Sequence, residues 1–159
     1  MVGNNAWIAQ VKQWIERDYP NLLITGYEIT SPDTIDYNCI AWAAEITNEW
    51  WWPDAQNQHY WPPGVPREET LDSFIKAFQT LGYEVCDRGD LEVGLQKIAI
   101  YSLDGKPKHE ARQLPDGKWT SKLGQDEDIK HHTLEGLEGK FYGKVVCVMK
   151  KNIVFLFQK

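Results

Sequence analysis

The chain of 159 residues carries 17 basic and 23 acidic side chains, for a net charge of −6, and 42% of its residues are hydrophobic. That length suits one domain over 1–159 with a core of its own, and lysines and arginines scattered through an acidic chain exclude the basic stripe that phosphates require. No run approaches 18 apolar residues and the N-terminus has no basic segment followed by an apolar one, so a cytoplasmic setting is expected, with neither nucleic acid nor membrane as partner.

From the N-terminus, Trp7, Ile8, Val11, Trp14 and Ile15 recur at helical spacing, which predicts an amphipathic helix over residues 5–19 that Pro20 ends. "LLITGYEI" is expected to be extended. A second helix is expected from Asn38 or Cys39, with Cys39, Trp42, Ala43 and Ile46 on one face. The stretch 49–69 holds four tryptophans and four prolines, a composition that sustains neither helix nor inner strand, so an ordered loop is expected. A third helix is expected from Pro66 to Gly82, burying Leu71, Phe74, Ile75 and Phe78.

After residue 82 the period changes to that of strands: "YEVC", "KIAIYSL", "KHEARQL", "KWTSKL", "GKVVCVMKK" and "IVFLFQK". Asp104-Gly105 and Asp116-Gly117 sit where hairpin turns belong. A short helix is expected around "EDIKHHTLEGL", with the acidic run at 126–128 capping it in water. Helices first and an antiparallel meander after define an α+β class, with N-terminal helices packed on the sheet.

Cys39, Cys86 and Cys147 are odd in number and lack CxxC spacing, so free thiols are expected. Cys39 falls after an aspartate and an asparagine at the first turn of a helix, where unpaired amides favour a thiolate. A cysteine nucleophile needs a base. Of four histidines, His59 lies in the tryptophan loop, His131 and His132 on the expected short helix, and His109 within a strand between two hairpin turns. Adjacent histidines point about 100° apart on a helix, so neither metal nor other cofactor is expected.

The helix-starting cysteine and the strand "HEARQLPDGKWTSK" resemble papain-like Cys-His hydrolases of the NlpC and CHAP type, in which a polar residue follows the histidine by twelve positions. The resemblance implies a papain-like, NlpC-like core, Cys39 as nucleophile, His109 as general base and Ser121 as the orienting residue, with Gln113, Asp128 and His131 as alternatives for the last role. "YNCIAWA", "YWPPGVPRE" and "ARQLPDGKWTSKLG" also resemble a family of small uncharacterised bacterial proteins, which implies no activity.

The function expected on this basis is a thiol hydrolase of an amide or isopeptide bond in a peptide or protein substrate, bound by Asn38, Trp42, Trp61 and Trp119. The alternative is a non-catalytic binding protein, such as an immunity protein or a degenerate papain-like module that masks a protein partner. An acidic surface and aromatic anchors suit that role.

Overall fold

The computed structural model describes residues 2–123 and 126–153. Helix α1 (Val2–Asp18) buries Val11 and Ile15, with Tyr19 just beyond its end. "LLIT" departs from the extended expectation: Asn21–Thr25 form a short helix, α2, because Pro20 presets helical dihedrals and Leu22 turns into the core. Strand β1 (Tyr27–Ser31) follows.

Helix α3 (Cys39–Ala43) starts where the asparagine places it. Asn38 is extended at φ −110°, and its side chain accepts from the Ala41 N–H at 3.2 Å. The loop after it is an ordered coil. Asp54 accepts the N–H groups of Gln58 and His59, and Arg67 donates to the carbonyls of Asp54 and His59. Since Arg67 and the Pro66 carbonyl belong to this loop, α4 (Leu71–Gln79) begins later than expected, at a Thr70 cap. Phe74 and Phe78 are fully buried on it, and Leu71 and Ile75 partly so.

Seven strands form one antiparallel sheet in the order β1-β6-β5-β4-β3-β7-β2. The new labels are β2 (Glu84–Cys86), β3 (Leu95–Leu103), β4 (Lys106–Gln113), β5 (Trp119–Lys122), β6 (Asp128–His131) and β7 (Lys144–Asn152). Asp104 and Gly105 both have positive φ, 53° and 81°, and join β3 to β4 as a two-residue turn. The short helix expected at 127–137 is instead β6 followed by a 3-10 turn (Leu134–Leu137), because Ile129 and His131 alternate into a core between β5 and β1. Of the acidic run, Asp126 is exposed as expected, but Glu127 and Asp128 are buried, and Asp128 accepts from the Tyr37 and Ser31 hydroxyls at 2.6 Å each. Beyond Ile153, the strand expected over 153–159 lies outside the described residues.

The sheet is covered on both faces. On one, α3, α4 and Trp51 and Trp61 pack with Ile98, Ile100, Cys147 and Met149. On the other, α1, α2 and the 3-10 turn pack with Ala99, Tyr101, Ala111, Trp119 and Ile129. No helix among the described residues is long and apolar enough to cross a membrane.

Candidate active site

Strand β4 carries adjacent residues to opposite faces. Glu110 pairs with Ile100 on the α3 face, and His109 pairs with Tyr101 on the α1 face, where the two rings meet edge to face at 5.3 Å. Strands β4 and β5 pair only through Arg112–Thr120 and Gln113–Trp119. Nearer the start of β4 the two strands meet through the side chains of His109 and Ser121.

Cys39 and His109 stand on opposite faces of the sheet. Cys39 heads α3, which packs over β4, and its thiol lies in the α3-face core with the Glu110 main chain near it. On the other side, His109 Nε2 lies 2.9 Å from Ser121 Oγ, and Ser121 Oγ lies 2.8 Å from His131 Nε2. No hydrogen bond joins thiol and imidazole, and His109 Nδ1 has no partner among the described residues. Tyr142 stacks on the His109 ring at 4.1 Å and 9°, which fixes the ring plane.

Burial sets the protonation of this cluster. It pushes the Cys39 thiol up to about 12, against the smaller opposing effects of the N–H groups of Glu110, Ile40 and Cys39 itself. The same desolvation holds His109 well below the usual histidine range and brings His131 down to about 4. At rest the thiol and both imidazoles are neutral. Glu110 is fully buried with neither carboxylate oxygen partnered among the described residues, and desolvation raises it well above the carboxylate range.

Cys39 is 7% exposed and opens on a cleft of about 300 Å³ that it lines with Asn38, Trp50, Trp52 and His59. Trp50 and His59 stack at 5.5 Å, and no lining residue is an acid, lysine or arginine. The cleft wall is preformed. Asn38 ties the helix start to the loop by donating to the Trp51 carbonyl at 2.8 Å and accepting the Trp51 N–H at 3.0 Å.

The other residues expected here stand elsewhere. Trp42 stacks on Tyr37 and donates to Thr120 Oγ1 at 3.0 Å, Trp61 donates to the Pro66 carbonyl against Phe74, and Trp119 is buried on the α1 face. None of these three lines the cleft beside Cys39. Gln113 holds the Gly89 carbonyl at 2.7 Å, four positions along β4 from His109. Asp128 is engaged by Tyr37 and Ser31. Trp50, Trp52 and His59 line the cleft instead, and the run Trp50-Trp51-Trp52 carries a signal of it: alternation buries the middle indole and leaves its two neighbours half-buried.

A cysteine-headed helix on an antiparallel sheet, with a histidine and serine bridging the neighbouring strands, defines an α+β protein with a buried thiol site. The chain belongs to the family DUF7689, described as a domain of unknown function, which residues 28–150 match. No curated protein and no solved structure matches it.

Proposed function

We propose that the protein is a papain-like thiol hydrolase, NlpC-like in its core, acting on an amide or isopeptide bond. One observation carries this reading: helix α3, headed by Cys39, packs on β4, the strand whose His109 is held by Ser121 at 2.9 Å. His109 Nδ1 takes the thiol proton as Sγ attacks the substrate carbonyl, with the main-chain N–H groups of Cys39 and Ile40 beside the sulfur to receive the oxyanion. The imidazolium then protonates the leaving amine. Water, deprotonated by His109, attacks the thioester, releases the carboxylic acid and restores the thiol.

A cleft walled by two indoles and lined by no acid, lysine or arginine selects a substrate whose side chain beside the scissile carbonyl is apolar or aromatic. Because both reacting groups rest neutral, His109 works as a general base on a thiol rather than as partner of a standing thiolate. A base with a lowered pKa stays unprotonated well below pH 6.5. Alkylation of Cys39 by iodoacetamide, followed by peptide mapping to separate Cys86 and Cys147, is therefore expected to hold a level rate from pH 6 to 9 in the wild type. In His109→Ala the rate is expected to climb with hydroxide across that range. A hydroxide-dependent rate in both proteins would reject the pairing.

A second reading, a binding module that uses the Trp50–Trp52 cleft to hold a protein partner, is favoured by the near-complete burial of Cys39 and His109. It expects the hydroxide-dependent profile in both proteins.

A further inference from the structure

We infer that His131 is a positioning residue that, through Ser121, fixes His109 as the Nε2–H tautomer and leaves Nδ1 as the basic atom. The meaning of Nδ1 as a base rests on the hydrolase reading, whereas the tautomer itself does not.

The inference follows from counting protons along one chain of hydrogen bonds. The Thr133 carbonyl only accepts, and it lies 2.9 Å from His131 Nδ1, so that nitrogen carries hydrogen. A neutral imidazole has one N–H, and His131 Nε2 is then an acceptor. The Ser121 hydroxyl, 2.8 Å away, gives it its single proton. Having donated there, Ser121 Oγ accepts at 2.9 Å from His109, whose Nε2 must bear the hydrogen. His109 Nδ1 is left with a bare lone pair, in agreement with its lack of a partner.

Nothing among the described residues competes with this order. His109, Ser121 and His131 are all 0% exposed, and burial keeps both imidazoles neutral. Each anchor is held independently. His131 sits in register with Tyr27 of β1 and Trp119 of β5, and Thr133 is fixed by its hydroxyl, which caps the 3-10 turn at the Gly136 N–H. A serine hydroxyl alone can turn either way. Backed by His131 and the Thr133 carbonyl, it has one direction.

The test uses the full chain with ¹⁵N-labelled histidine and reads the two ring nitrogens of His109 by long-range proton–nitrogen correlation at pH 7. Expected is a protonated Nε2 and a bare Nδ1 in the wild type and in Cys39→Ala. His131→Phe removes the acceptor and is expected to mix the tautomers and slow Cys39 alkylation about tenfold, while His131→Gln, whose amide oxygen accepts from Ser121, restores both. Should His131→Phe not fold, Ser121→Ala breaks the chain with little change of volume and is expected to give the same two readouts. A protonated Nδ1 in the wild type, or an unchanged tautomer in the folded variant that breaks the chain, would overturn the proposal. The expected tautomers together with a Cys39 that His109→Ala does not slow would sustain the relay and reject the hydrolase.

Discussion

Alanine at position 143 is expected to destabilise the protein by about 3 kcal/mol or more, the range of severe backbone strain combined with a steric clash. Gly143 has φ +72°, and a Cβ placed there would stand 1.9 Å from the Ser102 carbonyl oxygen. Neither atom is at the end of a flexible side chain. Relief requires β7 to move away from β3 at its start, where Lys144 pairs with Ser102 and Val145 with Tyr101. Tyr142, which stacks on His109, would move with it. Gly64→Ala is the control, since Gly64 also has positive φ, +83°, but has nothing within 4 Å of its Cβ position. Only the left-handed strain remains there, about 1 kcal/mol. Urea unfolding of both variants separates the two effects, and equal losses would show that the approach to Ser102 is not tight.

Stability is also expected to fall as pH drops from 6.5 to 4. His131 binds its proton in the unfolded chain near the ordinary value of 6.5 but in the native protein only at about 4. Between those values the unfolded state holds more protons, so stability rises with pH. The group's contribution is fully present above 6.5 and lost towards 4, a difference of roughly 3 kcal/mol at 1.36 kcal/mol per unit. His109, lowered further by the same burial, acts with the same sign. Glu110 acts oppositely, since its raised value makes the native state the better proton binder above the carboxylate range. The comparison that isolates the histidine is therefore wild type against His131→Gln. The difference between their urea midpoints is expected to shrink as pH falls from 7 to 4.5, and a constant difference would mean that His131 titrates normally.

Much of this architecture is written locally. Asn38 before Cys39 marks the start of α3 because one side chain caps the helix, and Asp104-Gly105 marks a hairpin because its turn needs two positive φ values. Twelve residues separate His109 from Ser121, and the hairpin between them returns the serine to hydrogen-bonding distance. Where meaning depends on distant partners, local pattern misleads. "EDIKHH" has the acidic start of a helix, yet Ile129 and His131 become strand residues once β1 supplies their second neighbour. "LLIT" is too short to show a period, and Pro20 decides it. Which of eight tryptophans face a cleft was set by the Asp54–Arg67 closure of the loop, and that Glu110 is buried follows from α3 covering its face of β4.

The most direct measurement is intact-mass analysis after exposure to an activated ester of a hydrophobic acyl group, such as phenylacetyl, with peptide mapping of the adduct. A single acyl group on Cys39, formed and then shed over time by the wild type and formed far more slowly by His109→Ala, is the expected result. No adduct on Cys39, or one that forms at the same rate without His109, would contradict a Cys39–His109 hydrolase.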